Sequence, residues 1–285
     1  MIPLRDNIPT SRLPFVTIAL ILINVAAFVW QLGFPSDRFS SAEMQKLEIT
    51  ESDENALEYG AIPYRITHPG KGCFVTDARG SGGLGDTDAR IVCAGTSEAR
   101  EAEEAGGPRG DLDQAPWWVT VLTSMFMHGG LLHIGFNMLF LWIFGNNVED
   151  SMGRVKYLLF YLLAGIAAVY AQAGIDTGST IPTIGASGAV AGVLGAYAVL
   201  YPRARVLTLL LIIFFVTMVE IPALILLGLW FILQFLPAIG QVATPEIGGE
   251  GGVAYFAHVG GFVFGLAMVK LFATRHHEAT RHHPT

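Results

Sequence analysis

Four polar side chains in strongly apolar surroundings have the types needed for acyl-transfer chemistry: Ser187, His258, His133 and Asn137. A serine hydroxyl becomes a strong nucleophile when an adjacent base removes its proton, and histidine suits that work near neutral pH. The tetrahedral intermediate also needs hydrogen-bond donors for its oxyanion. The Asn137 amide, the His133 ring and the Ser187 backbone N–H could supply them. The pattern therefore predicts a Ser187–His258 pair supported by two side chains from another helix.

The composition is typical of a membrane protein. Apolar residues make up 52% of the chain and charged residues 14%, whereas soluble domains carry about 25% charged residues. Residues 34–116 hold 16 of the 24 acidic residues, so the charge is concentrated in one segment. A net charge of -7 offers no basic surface for nucleic acid. We therefore expect an all-α membrane protein with one long polar connection.

Six apolar stretches have about the length that a membrane-spanning helix needs. They are Leu13–Gly33, Leu131–Asn147, Val155–Ala173, Pro182–Tyr201, Val219–Ile239 and Gly252–Ala273. The apolar stretch Val206–Thr217 lies too close to its neighbours to be a separate span. We expect it to form an interfacial or partly buried loop that leads into the fifth helix.

The distribution of Lys and Arg predicts the orientation of the six-helix bundle. Basic residues occur in the short connections after the second and fourth helices, and none occurs in those after the third and fifth. Both termini are therefore expected in the cytoplasm, most simply at a bacterial plasma membrane. The predicted segments are an N-terminus (1–12), helix one (13–33), a long extracytoplasmic connection (34–130), a core of helices two to six (131–273) and a tail (274–285).

In this topology the second, fourth and sixth helices all enter the membrane from the outer face. Asn137, Ser187 and His258 then lie about five or six residues into their helices, which is about 8–10 Å below the outer end. His133 lies one turn above Asn137 on the same helix face. Because no Asp or Glu is expected at this depth, the sequence predicts a serine–histidine dyad without a carboxylate.

Several of these residues also have a simpler structural interpretation. Polar residues such as His133 and Asn137 commonly join membrane helices by hydrogen bonds, and His128 is expected to have a structural role in its loop. Cys73 and Cys93 could form a disulfide in an oxidising compartment or remain free thiols. No sequence pattern typical of a metal or cofactor site occurs.

Three motifs together resemble the rhomboid family of intramembrane serine proteases, in the family's order. They are HGGLLHIGFN (128–137), GASG (185–188) and AHVGGFVFG (257–265). The resemblance covers the six helices and excludes most of the polar connection. It implies Ser187 as nucleophile, His258 as base, and His133 and Asn137 as oxyanion donors, with no metal or other cofactor. It also implies membrane-protein substrates whose transmembrane segments are locally destabilised and cleaved within or beside the bilayer.

Two departures from the family's pattern concern how the site is held. Val119 and Thr120 stand where many members have a Trp-Arg pair, and Ala191 stands where some have an aromatic residue that stacks on the histidine. The family's gate would correspond to Val219–Gly251, including a glycine-rich segment that suits a mobile cap.

Two other functions remain as alternatives. A catalytically inactive rhomboid-like protein could bind membrane clients, although inactive relatives usually lack the serine or the histidine. A small-molecule transporter would need polar residues through both leaflets, whereas these residues cluster in one half.

Overall fold

A computed structural model describes residues 1–33, 51–77, 89–104, 109–111, 114–212, 215–243 and 254–274. The helices are α1 (Phe15–Gly33), α2 (Glu51–Tyr59), α3 (Pro63–Thr67), α4 (Ser97–Glu104), α5 (Trp117–Thr123), α6 (Leu131–Met152), α7 (Arg154–Ile175), α8 (Ser187–Leu200), α9 (Ala223–Ala243) and α10 (Tyr255–Phe272). The strands are β1 (Ile2–Asp6), β2 (Cys73–Asp77), β3 (Ala89–Cys93), β4 (Arg109–Asp111), β5 (Arg205–Ile212) and β6 (Phe215–Pro222).

Four helices in the described residues are long and apolar enough to cross a membrane, namely α1, α6, α7 and α10. The apolar helices Ser187–Leu200 and Ala223–Leu236 are shorter. Large apolar side chains project outward from the bundle, among them Leu22, Val29 and Leu159, each at least half exposed. Such an apolar exterior suits contact with lipid. The glycine-rich part of the predicted gate and the tail after Thr274 lie outside the described residues.

Helices α8 and α10 touch backbone to backbone. A Cβ atom added at Gly261 would lie 2.0 Å from the Gly188 carbonyl oxygen, and one at Gly265 would lie 2.0 Å from that of Gly192. Small residues allow this approach between membrane helices. This contact brings together the helices that carry Ser187 and His258.

The expectation of a loop at Val206–Thr217 is wrong, because this stretch forms most of the β5–β6 hairpin. The hairpin pairs with β1 in an antiparallel sheet of order β1-β5-β6. Pairing satisfies backbone N–H and C=O groups that an apolar loop would leave without partners. Because β6 ends at Pro222, the fifth apolar helix begins at Ala223 rather than at Val219.

The start of α1 is held by two adjacent carboxylates near the end of α6. Glu149 accepts hydrogen bonds from the backbone N–H groups of Val16 and Thr17, and Asp150 accepts them from the N–H and hydroxyl of Ser11. The first N–H groups of a helix have no partner within it, and negative charge is favourable at that end. Both carboxylates lie on α6 because this helix continues to Met152, beyond the predicted end at Asn147.

The connection between α1 and α6 contains a small sheet of order β3-β2-β4. Cys73 and Cys93 face each other on paired strands, and their sulfur atoms are bonded.

Three hydrogen bonds tie the end of the α1–α6 connection to its earlier part. Arg65 Nη2 donates to the Ala115 carbonyl, Gln114 Nε2 to that of Leu57, and Thr123 Oγ1 to that of Tyr59. This segment is thus anchored without the Trp-Arg pair absent at Val119 and Thr120.

Replacement of Gly261 by Ala tests the importance of the α8–α10 contact. The added methyl group meets backbone rather than a movable side chain, so the helices must separate. We expect the free energy of unfolding to fall by about 3 kcal/mol, the upper end of the usual range for overpacking. Gly174→Ala is the matched control because its Cβ would have no atom within 4 Å. Equal unfolding energies for the two variants, measured by denaturant titration in detergent, would contradict this interpretation.

Replacement of Asp6 by Asn tests a partly buried carboxyl group beside α8. Asp6 Oδ2 accepts hydrogen bonds from Asn147 and Tyr197, and burial raises the pKa of Asp6 from 3.8 to about 6. The folded state therefore holds this proton more tightly than the unfolded state, so stability falls as pH rises from about 4 through 6. We expect the melting temperature of the wild type to drop more between pH 5 and pH 7.5 than that of Asp6→Asn. Parallel melting curves for the two proteins would show that Asp6 does not titrate in this range.

Candidate active site

Ser187 and His258 are in direct contact. The hydroxyl oxygen of Ser187 lies 2.7 Å from Nε2 of His258. Ser187 is the first residue of α8, and His258 is in the first turn of α10. The nearest backbone contact between these two helices joins Gly188, the residue after Ser187, to Gly261, about one turn after His258, and it sets this short distance. The structure thus brings together the two residues that the sequence predicts as a pair.

The prediction that Ser187 lies five residues inside its helix is wrong. The preceding residues form an extended segment in which Thr183 and Ala61 exchange two backbone hydrogen bonds. Gly185 then has a φ of +120° and donates its N–H to the Ser124 carbonyl. A helix cannot include a residue with that φ, so α8 starts only after Gly185. The nucleophile candidate therefore lies at a helix N-terminus, where backbone N–H groups have no intrahelical partner.

His133 lies over the backbone beside Ser187. A Cβ atom at Gly185 would lie 2.8 Å from His133 Nε2 and 3.4 Å from the Ser187 hydroxyl oxygen. On the other side of the ring, Nδ1 accepts a hydrogen bond of 3.4 Å from the Gly129 N–H. Because Nδ1 is the acceptor, a neutral ring carries its proton on Nε2. That N–H is then a donor beside the nucleophile.

Asn137 lies one turn further along α6 and lines the same cavity. Its Nδ2 donates one hydrogen to the carbonyl oxygen of His133, at 3.1 Å. An amide nitrogen has two hydrogens, so this bond holds the side chain in place and leaves a second hydrogen for donation. The cavity has a volume of about 370 Å³. Its lining includes His133, Phe136, Asn137, Ser187, Trp230 and His258.

His128 is fully buried behind His133 and is fixed by α1. Its backbone N–H donates to Gln31 Oε1, and Gln31 Nε2 donates to the His128 carbonyl oxygen. Its ring centroid lies 5.2 Å from that of His133 and 6.5 Å from that of Phe28. These contacts join the loop before α6 to α1, in keeping with the structural role predicted for His128.

Gln234 contacts the candidate base and was missed by the sequence analysis. Its Oε1 lies 2.7 Å from Nδ1 of His258. Trp230, one turn earlier on α9, has its ring centroid 6.0 Å from that of His258. An aromatic ring therefore lies beside the histidine although Ala191 cannot provide one. The missed signal was available, because Gln234 is the only amide, hydroxyl or charged residue between Pro222 and Gly240.

Among the described residues, no group of three or more His, Cys, Asp or Glu side chains could hold a metal ion. The paired Cys73 and Cys93 belong to the α1–α6 connection and do not line the cavity.

The matching protein-family model is the Rhomboid domain, which covers residues 115–275 and therefore more than half of the chain. The chain belongs to the rhomboid family. The match begins just before α5 and includes Ser187, His258, His133, Asn137 and Gln234.

Several curated relatives are named as rhomboid proteins. The chain is 43% identical to Rhomboid protease GluP of Bacillus subtilis over 83 residues, which are 29% of this chain and 16% of that protein. It is 30% identical to Rhomboid protein 1, mitochondrial, of Saccharomyces cerevisiae over 152 residues, or 52% of this chain and 40% of that protein. It is also 30% identical to Rhomboid-type serine protease 2 of Emericella nidulans over 170 residues, or 56% of this chain and 29% of that protein.

The aligned regions cover between 16% and 40% of these relatives' own lengths. What is shared is thus the rhomboid domain and not the whole of any relative. Together with the apolar helices, this membership identifies the chain as an integral membrane protein. The protease names among its relatives support a hydrolase.

Replacement of Gly185 by Ala tests the loop that delivers Ser187. The left-handed backbone there is unfavourable for residues with a Cβ, and the new methyl group would press on the His133 ring. We expect a loss of about 1–3 kcal/mol in the free energy of unfolding. Gly178→Ala is the control in the same loop, since its Cβ would meet nothing within 4 Å. If both variants unfold like the wild type, this account of Gly185 is wrong.

Proposed function

We propose that this protein is an intramembrane serine endopeptidase that uses Ser187 as nucleophile and His258 as general base. The observation that carries the proposal is the 2.7 Å distance between the Ser187 hydroxyl oxygen and His258 Nε2, inside a cavity lined by further hydrogen-bond donors. The same contact between a serine nucleophile and a histidine base recurs in serine hydrolases with unrelated folds, so the geometry itself indicates the reaction class. Membership of the rhomboid family supports the same reaction class.

The proposed reaction proceeds in two halves. His258 Nε2 takes the Ser187 hydroxyl proton as the serine oxygen bonds to the scissile carbonyl carbon. The imidazolium then gives that proton to the leaving amide nitrogen, the C–N bond breaks and an ester remains on Ser187. Water, deprotonated by His258, then attacks the ester carbon. The bond from that carbon to the Ser187 oxygen breaks, the proton on His258 restores the Ser187 hydroxyl, and the second product leaves as a carboxylic acid.

The oxyanion of each tetrahedral intermediate needs donors that are already in place. We assign this role to His133 Nε2–H, to the second Asn137 N–H and to the Ser187 backbone N–H. The Gly129 bond to His133 and the His133 bond to Asn137 support the assignment, because they hold both side chains before substrate arrives. Donors fixed in this way need no reorganisation during the reaction.

We further propose six spans, in which α8 is a short crossing, with both termini cytoplasmic at a bacterial plasma membrane. Helix α8 has 14 residues, so it is about 21 Å long, whereas the hydrocarbon core is about 30 Å thick. If Leu200 lies at the cytoplasmic boundary, Ser187 lies about 9 Å below the outer one. The Lys and Arg asymmetry supports this orientation, which also puts the Cys73–Cys93 pair in an oxidising compartment.

The proposed substrates are membrane proteins whose transmembrane segments unwind easily near the outer face. A carbonyl within an intact helix is hydrogen-bonded and shielded, so it cannot reach Ser187 without local unwinding. The cavity is lined mostly by apolar side chains, which suits a peptide that arrives from the bilayer.

Loss of Ser187 should abolish proteolysis. We expect Ser187→Ala and His258→Ala to stop cleavage of a model transmembrane substrate in proteoliposomes, because each removes a partner of the proton transfer. Asn137→Ala should lower kcat by about 10²–10³-fold, as expected for one oxyanion donor. Ser97→Ala, an exposed serine on α4, is the matched control and should cleave normally.

Undiminished cleavage by Ser187→Ala would overturn the proposed function. If the wild type instead binds the transmembrane substrate but neither cleaves it nor reacts with a fluorophosphonate, the protein is an inactive client-binding member of the family.

A further inference from the structure

Gln234 is the side chain that faces the ring nitrogen of His258 opposite Ser187. Its Oε1 lies 2.7 Å from His258 Nδ1, while Nε2 of the same ring lies 2.7 Å from the Ser187 hydroxyl oxygen. The three side chains come from three different helices, α9, α10 and α8. Gln234 therefore occupies the position that the third residue of a catalytic triad has, next to Nδ1 of the histidine.

The amide oxygen determines which nitrogen of the ring carries the proton. An amide oxygen can only accept a hydrogen bond, so a contact of 2.7 Å requires the hydrogen on Nδ1. A neutral imidazole with hydrogen on Nδ1 has a bare Nε2. That nitrogen then accepts the Ser187 hydroxyl, which is the arrangement a general base needs.

We infer that Gln234 is a positioning residue that holds His258 in its base-competent tautomer and fixes the plane of its ring. The inference rests on the proposed function, since it assigns Gln234 a part in the same reaction. It extends the predicted Ser187–His258 dyad to three hydrogen-bonded residues, Ser187, His258 and Gln234. Only Ser187 and His258 exchange protons.

The environment of His258 favours an amide over a carboxylate in this position. An ionised carboxylate within a membrane helix is costly to desolvate, whereas an amide accepts the same hydrogen bond without a net charge. No Asp, Glu, Lys or Arg lies among the described residues that line the cavity. The cost of the amide is a weaker stabilisation of the imidazolium, because the partner is neutral.

The same helix face supplies a second restraint on the ring. Trp230 is one helical turn from Gln234, and its ring is tilted by 39° to that of His258. It also lies 6.1 Å from the Phe262 ring on α10. Position 191, where some family members have the stacking aromatic residue, is occupied by alanine. Packing from α9 thus substitutes for packing from α8.

A structural role for Gln234 would have different consequences. Polar side chains often join membrane helices simply by hydrogen bonding across them. Loss of such a bond would lower the stability of the α9–α10 contact and would leave the pH dependence of catalysis unchanged. A change in tautomer acts on kcat and on the pH profile instead.

The test compares Gln234→Met, Gln234→Glu and the control Leu236→Met, an exposed residue on the same helix. The readouts are the labelling rate of Ser187 by a fluorophosphonate, kcat and KM on a model transmembrane substrate, and the pH profile of kcat/KM. Methionine keeps the length of the side chain but removes the acceptor. Glutamate restores an acceptor and adds a negative charge beside Nδ1.

We expect a fluorophosphonate to label Gln234→Met at least about 10-fold more slowly than the wild type. This factor lies between the effect of losing one neutral hydrogen bond and the larger effect of a wrong histidine tautomer in serine proteases. Its kcat should fall by a similar factor with KM unchanged. Gln234→Glu should recover most of the activity at high pH, and the acid limb of its profile should move to higher pH, because the carboxylate stabilises the imidazolium. Leu236→Met should match the wild type.

Three results would overturn the inference: a Gln234→Met enzyme with the wild-type labelling rate and kcat, one in which only KM rises, or equal losses in both Gln234 variants without a change of the pH profile. Failure of the proposed function itself is distinguishable, because the wild type would then show no Ser187-dependent labelling at all.

Discussion

Backbone contact between α8 and α10 is the constraint on which the rest of the site depends. The carbonyl oxygens of Gly188 and Gly192 occupy the space that side chains at Gly261 and Gly265 would fill. In lipid, helices gain little from hydrophobic association, so close van der Waals packing of small residues carries more of the stability. Ser187 and His258 lie beside this contact, and their 2.7 Å separation follows from it. The stability of the α8–α10 contact and the short distance between Ser187 and His258 therefore both require glycine at these positions.

The second constraint is the length of α8. In the proposed orientation, a longer α8 with the same packing would place Ser187 closer to the outer membrane surface, where water would surround it. The segment before α8 is extended because Thr183 pairs with Ala61, and Gly185 has a left-handed backbone. Both features delay the start of α8 until after Gly185. The α1–α6 connection thus acts on the site from a distance, since Ala61 belongs to it. Ser187 comes to lie at a helix terminus that lines the cavity, and the first N–H groups of a helix have no partner within it.

The long apolar helices follow from local hydropathy, whereas the Ser187–His258 pairing was predicted from the depth of these residues in the expected topology and from the family motifs. Hydropathy locates α1, α6, α7 and α10 to within a few residues, and the largest difference is the end of α6, where the polar residues Glu149 and Asp150 lie beyond the apolar stretch. The β5–β6 hairpin escaped prediction because an uninterrupted apolar run does not distinguish a strand from a buried loop. The start of α8 and the contact of Gln234 with His258 depend on pairing between distant segments, which hydropathy does not encode.

None of the described side chains that line the cavity carries a permanent charge. Those that can form hydrogen bonds have hydroxyl, imidazole, amide or indole groups. A permanent charge in this position would need a partner or water to compensate its desolvation, and the described lining residues provide no opposite charge. Neutral groups avoid that cost but give weaker electrostatic stabilisation, so their value depends on being held in place. Gly129 holds His133, His133 holds Asn137, and Gln234 holds His258. In the proposed mechanism, the rigidity supplied by these bonds compensates for part of the electrostatic stabilisation that charged groups give in soluble serine hydrolases.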